Sequence, residues 1–495
     1  MKNKLLLSYL LFFIMTGFGY MKAQTVDSTG GVGTQNKVSP NGLLDNIFDQ
    51  YGNKYSLGDL FVGASNRNGS GVNQPSSLLC QPGYFNLYFE VGSGMEGNSA
   101  IELARMAVIC QVFTDISDFI ESPLETNGQN NRVNIWIRNI NQIDANSANS
   151  GVLGLATAFY NVPQNNAAGF GGIADNEIWK TIHSGVDSYT NVASPLVTQG
   201  GVNTSGGTFY HGYAAFNFNN ATINWNTDLG SALSPAGLYD LYSVALHEVT
   251  HALGFASLIN FDGQSKLGAG YNYYSRYDLR LQNNLGTENL IENTGACSLY
   301  DYGWNANLNA ITTLAPNAAC NSNHTTCGSA VRYSYIGGGN QAVYTTNCFE
   351  APSSLSHFED ECQVPAPLVA PQNDLYFVMS NANGTGATFT KRHLTPEERT
   401  VLCDLGYTVN STFGSAGTTI FNYNVAQCAG INVAGINDGI DNIGAYVFAG
   451  NAGVTIPIIG ILDNDNNATD FECLMDVYDA TAILSTTVGN QYYPN

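Results

Sequence analysis

The sequence predicts an α+β chain: a mixed sheet with one packed helix, followed by a smaller β-sandwich-like module. Three observations carry this. Strand-like and helix-like stretches follow one another as strand, helix, strands, helix between residues 85 and 253, an order that indicates a layered domain. The last helix of that series holds His247-Glu248-Val249-Thr250-His251. From about residue 412, short β-type runs separated by Gly, Asn and Asp replace helical spacing, as in small sandwich modules.

Residues 1–23 have the layout of a signal peptide. Lys2 and Lys4 precede an apolar run from Leu5 to Phe18, and Ala23 suits cleavage. The run is too short to span a bilayer comfortably, and no comparable run follows. The protein is therefore expected to be secreted or at the cell surface, with no membrane insertion after signal cleavage. Residues 24–55 are rich in Gly, Ser and Asn and read as an N-terminal extension.

The main domain is expected over residues 56–411. Phe85 to Val91 reads as a strand. Ser99 and Glu102 form a capping-box pattern ahead of Ile101, Val108, Val112, Ile116 and Phe119, which recur at helical spacing. Val133, Ile135 and Ile137 alternate with polar residues as in a second strand. Gly154 to Tyr160 and Ala214 to Phe218 supply two more. The motif helix begins near Tyr239, and Gly254 is a natural stop. Residues from about 262 to 350 form a Cys-rich insertion, long enough to be a functional loop or a disulfide-knit subdomain. Thr395 as N-cap, Pro396 at the first position and Gly406 at the end bound a last helix.

Residues 412–495 form the C-terminal β module, with β segments at Thr418 to Asn424, Ala445 to Ala449, Val454 to Leu462 and Ala482 to Val488. The chain stops soon after this module begins, which leaves open a longer parent product. Asp463-Asn464-Asp465-Asn466-Asn467 resembles the start of a Ca²⁺ loop but lacks the Gly and terminal Glu of an EF-hand. It reads as a turn or a calcium site.

The net charge of −22 argues against nucleic acid or an anionic membrane as partner. Ten cysteines, all beyond residue 79, suit an oxidising compartment and up to five disulfides. Cys297, Cys320, Cys327, Cys348 and Cys362 are expected to staple the insertion.

On a helix, residues four apart share a face. His247 and His251 can therefore present two imidazoles to one ion. Glu248, about 100° around the helix, can reach a water on it. Tyr242, Ala245, Val249, Ala252 and Leu253 fall on the opposite face and can pack on a core. A zinc that acts on substrates has three protein ligands and a water. The short form H-E-x-x-H-x-x-G-x-x-H ends here on Ser257, a poor ligand, so the third must be distant. Candidates are His324, His357, His393, Asp278 and Glu288. His183 and His211 read as structural or surface residues.

The motif is followed by Tyr277-Asp278-Leu279, then Ser353-Ser354-Leu355-Ser356-His357-Phe358-Glu359, then Met379, then Leu394-Thr395-Pro396 through Asp404-Leu405-Gly406-Tyr407. This ordered set resembles bacterial secreted metalloproteases related to leishmanolysin, over roughly residues 85–408. The resemblance implies a metzincin-like fold, Zn²⁺ held by His247, His251 and His357, Glu248 as general base, and Met379 beneath the site. Two features depart from the family. Glu359 stands where an Asp is common, and Ser380-Asn381 follow Met379 without a nearby Pro. Glu359, Asp360 and Glu361 offer carboxylates to orient the second ring nitrogen of His357. The expected function is that of a secreted zinc metalloendopeptidase that hydrolyses protein or peptide substrates through an activated water. One alternative is a non-enzymatic adhesion or glycan-binding surface protein with a degenerate metal site. Another keeps the enzyme and makes a carboxylate the third ligand.

Overall fold

The structure, a computed structural model, describes residues 47–62, 75–125, 132–143, 151–162, 171–185, 187–189, 198–199, 202–203, 208–267, 272–293, 302–305, 331–345, 349, 353–359 and 377–410, with short strands at 456–457, 483–485 and 491–493. It is a mixed α+β structure with one large mixed sheet and few helices.

The sheet has seven strands. They are β1 (Ile47–Asp49), β2 (Lys54–Tyr55), β3 (Ser76–Cys80), β4 (Phe85–Glu90), β6 (Val133–Asn139), β7 (Gly154–Asn161) and β8 (Gly212–Phe216), in the spatial order β2-β1-β7-β8-β6-β4-β3. β4, β6 and β8 run parallel; β7 is antiparallel to β8 and to β1. The last residues of the expected N-terminal extension thus supply two strands at one end of the sheet. A short pair outside it sets β5 (Ile120–Glu121) against β9 (Thr408–Val409).

The helices are α1 (Leu57–Leu60), α2 (Ala100–Phe119), α3 (Glu177–Ser184), α4 (Leu241–Ala252) and α5 (Pro396–Asp404). The capping box before α2 forms as the spacing predicts: Ser99 Oγ accepts the Glu102 amide at 3.3 Å, and Glu102 Oε2 accepts the Ser99 amide at 3.1 Å. Val108, Val112, Ile116 and Phe119 are buried, but Ile101 is 58% exposed. It lies in the first turn of α2.

One face of the sheet presents Leu87, Phe89, Ile135, Ile137, Ala156 and Phe216 to α2 and α4. The other face is covered by aromatic residues, among them Tyr210, which stacks on Trp136 with centroids 4.8 Å apart. This second layer explains β6. Its alternation suggests one wet face, yet all seven residues are buried. Tyr242 on α4 donates its hydroxyl to Asp115 on α2 at 2.7 Å, locking the two helices together. A disulfide between Cys80 and Cys110 ties β3 to α2, and Cys403 on α5 is also disulfide-bonded.

Ala214 to Phe218, read as a strand, is observed two residues earlier, as β8. α4 begins at Leu241, not Tyr239, because Asp240 is its N-cap and accepts the Ser243 amide at 2.9 Å. α5 keeps its expected limits, with Thr395 capping and Gly406 at φ +98° after the end. Beyond residue 411, the strands Ile456–Pro457, Ile483–Ser485 and Gln491–Tyr493 pair antiparallel. The other expected β segments there, the Asp463 to Asn467 stretch and the five cysteines of the insertion lie outside the described residues. Among the described residues, no helix is long and apolar enough to cross a membrane.

Candidate metal centre

α4 is held rigidly at both ends. At its start, Asp240 is paired with buried Arg392, Nη2 to Oδ2 at 2.6 Å. At its end, Gly254 adopts φ +105°, a conformation that favours glycine, and the chain turns away. That turn brings the Phe255 carbonyl back to accept His251 Nδ1–H at 2.7 Å.

His357 arrives from the loop 353–359. There Leu355 has φ +67° and is fully buried. Such a conformation in a residue other than glycine costs of order 1–3 kcal/mol and persists only where the surroundings enforce it. Those surroundings are visible: the Tyr344 amide donates to the His357 carbonyl at 2.8 Å, the Phe358 amide to the Met379 carbonyl at 2.8 Å, and the Ser257 amide to Ser356 Oγ at 3.0 Å.

These elements bring three imidazoles together. His251 Nε2 lies 3.1 Å from His247 Nε2 and 3.1 Å from His357 Nε2, and the last two are 3.2 Å apart. The opposite nitrogen of each ring faces a backbone carbonyl: His247 that of Val378 at 2.7 Å, His251 that of Phe255 at 2.7 Å, His357 that of Ser353 at 2.8 Å. A carbonyl can only accept, so Nδ1 carries the proton in all three rings and the Nε2 lone pairs point at one another. Burial favours the neutral rings, pushing His247 down to about 4, His357 to about 3 and His251 well below the usual histidine range. Three converging lone pairs repel unless a cation lies between them. The cluster can therefore hold a metal ion.

Glu248 stands beside this centre, 7% exposed. Burial raises its carboxyl to about 8, against the opposing pull of a hydrogen bond from the Ala156 amide on β7. Gly154, the first residue of β7, leaves room for it: a Cβ there would lie 2.9 Å from Glu248 Cγ and 3.0 Å from Oε1. The Tyr51 hydroxyl donates to the Ala156 carbonyl at 3.2 Å, so the β1–β2 hairpin buttresses the same stretch of strand.

Of the five distant candidates, His357 alone joins the pair on α4 among the described residues. Asp278 is buried elsewhere, accepting the Leu258 amide at 3.0 Å and the Ser275 amide at 2.8 Å. Glu288 and His393 are exposed outside the cluster, and His324 lies outside the described residues. His211 is structural, its Nδ1 accepting the Asn134 amide at 2.9 Å. The second nitrogen of His357 is oriented by the Ser353 carbonyl rather than by Glu359, because the tight turn places that carbonyl closest to the ring. Met379 is fully buried and adjoins Val378, the partner of His247.

Sequence reasoning misses Gly154, Glu398 and the three carbonyls. Backbone acceptors leave no mark in residue type. Glu398 shows only as the third residue of α5, where a cap partner is expected. No protein-family model matches the chain, and no curated protein or solved structure matches it.

Proposed function

We propose that this chain is a secreted zinc-dependent metalloendopeptidase with a metzincin-like domain and a trailing β-sandwich-like module. One observation carries the reading: three neutral imidazoles converge, two of them on α4, the helix that also carries the buried Glu248. Zinc suits the donor set. Imidazole nitrogens about 2.0–2.1 Å from zinc at tetrahedral angles lie about 3.3 Å apart, close to the 3.1–3.2 Å separations here.

When bound, zinc would polarise the scissile carbonyl and make water acidic enough to attack near neutral pH. His247, His251 and His357 would hold the ion. Glu248 accepts the proton of the attacking water and passes it to the leaving amine. The bare Cα of Gly154 and the Ala156 amide keep its carboxylate in one place. The signal-peptide layout and the Cys80–Cys110 disulfide support export, since such bonds persist in oxidising compartments.

Removal and return of the metal test the reading. Protein stripped by a chelator should cleave no peptide, and one equivalent of Zn²⁺ should restore cleavage. Peptide cleavage that survives complete stripping would overturn it. Failure of the zinc-loaded protein to cleave any peptide would favour the adhesion alternative.

A further inference from the structure

The peptide group that joins Val378 to Met379 is held at both ends. Its carbonyl accepts His247 Nδ1–H at 2.7 Å. Its amide donates to Glu398 Oε1 at 2.6 Å. Glu398 is fully buried, and its other oxygen accepts the Thr395 amide at 2.7 Å. Both carboxylate oxygens thus face donors. Burial raises this carboxyl to about 7, opposed by the Met379 and Thr395 amides and by the charge of Lys391. Lys391 in turn donates Nζ–H to the Phe377 carbonyl at 2.5 Å. The segment that carries the His247 acceptor is therefore pinned on consecutive residues.

We propose that Glu398 is a positioning residue for the metal centre, acting on His247 through the Val378–Met379 peptide group. Hydrogen bonds in series polarise one another in a low-dielectric interior. A carboxylate drawing on the Met379 N–H places more negative charge on the Val378 oxygen. The stronger acceptor tightens its bond to Nδ1–H and raises the electron density at Nε2. Metal-binding histidines commonly donate their free N–H to a carboxylate or a carbonyl, which fixes the ring and strengthens the ligand. Here the two are combined, with one peptide group between charge and ring. His251 lacks this arrangement: the peptide group that accepts its proton donates its own amide, that of Ala256, to the neutral Gly254 carbonyl at 2.8 Å. His247 is then a stronger donor to the metal than His251.

This inference rests on His247, His251 and His357 being a metal centre, and two readouts separate the claims. Glu398→Gln removes the charge. Thr395→Ala weakens the same helix start, at about 1 kcal/mol, and takes one side-chain hydrogen bond from the carboxyl but leaves its charge and the Met379 amide bond. Zinc affinity is measured by chelator competition, and the Nδ1–H proton resonances of His247 and His251 are followed by NMR in the metal-free protein. Glu398→Gln should bind Zn²⁺ about 10-fold more weakly and move the His247 resonance upfield with that of His251 unmoved. Thr395→Ala, which keeps the charge, should change both by much less than Glu398→Gln does. Equal loss of affinity in both variants, or an unmoved His247 resonance, would overturn the proposal. If the glutamine variant does not fold, Glu398→Asp, which keeps the charge but falls short of the Met379 amide, should give the same two shifts. A wild type that binds no zinc would overturn the metal reading alone, because the resonance comparison needs no metal.

Discussion

A single side chain, His357, adds a third imidazole to the pair on α4, so that the cluster can hold a metal ion. His357→Ala should lose most of the zinc affinity and nearly all activity, whereas His393→Ala, exposed and outside the cluster, should change neither. Zinc titration of both variants checks this, and a His357→Ala protein with stoichiometric zinc and full activity would contradict it. Gly154→Ala tests the glutamate. The new methyl must displace Glu248, and a misplaced reacting group loses about 10²-fold in rate. Zinc content should stay at one equivalent. Unchanged kcat/KM would show that Glu248 tolerates the shift and is not held for proton transfer. At this scale the sequence is uneven evidence. His247, Glu248 and His251 are legible because helical periodicity alone puts them together. His357 is 106 residues from His251, so no local rule connects them, and only the resemblance to a family points to it. Gly154 carries no signal, since one glycine among 53 looks like any other turn residue.

Among elements, α2, α4 and α5 are legible to within two residues at their starts because caps are local chemistry. Strand partners are not local. β6 and β8 are parallel neighbours although β7 lies between them in sequence, and the aromatic second layer that buries β6 comes partly from residues 209–213. Two predictions belong here. Loss of the Cys80–Cys110 bond through Cys110→Ser frees β3 from α2 and should cost about 2–4 kcal/mol, with zinc affinity unchanged; denaturant unfolding checks it. Asp404 on α5 is 3% exposed, and burial raises its carboxyl from the usual 3.8 to about 6. The folded state then holds the proton more tightly than the unfolded chain. The stability so gained is complete below about pH 4 and is lost as pH rises through about 6. Asp404→Asn removes this titration. Relative to wild type it should gain up to about 3 kcal/mol between pH 4 and pH 8, measured by thermal unfolding across that range. A difference that stays constant with pH would exclude the buried titration.

The whole molecule is organised to present one helix. α4 lies between α2 and β7, and both ends of the domain close on that core: β1 pairs with β7, and β9 pairs with β5 while the Asn410 amide donates to the Phe119 carbonyl at 2.8 Å. The α+β class is legible from the order of elements. The contribution of residues 47–55 is not, because a hairpin of two and three residues has too little periodicity to register. Truncation after residue 411 keeps β9 and every residue of the metal centre. The shortened protein should still bind zinc and unfold cooperatively in a thermal scan, and loss of either would show that the later residues belong to the same core. The most direct measurement of the central claim compares zinc-loaded wild type with zinc-loaded Glu248→Gln on a broad peptide library. Both should hold one zinc, and only wild type should cleave, by at least about 10²-fold. Equal cleavage by the two proteins, or a fully loaded wild type that cleaves nothing, would contradict it.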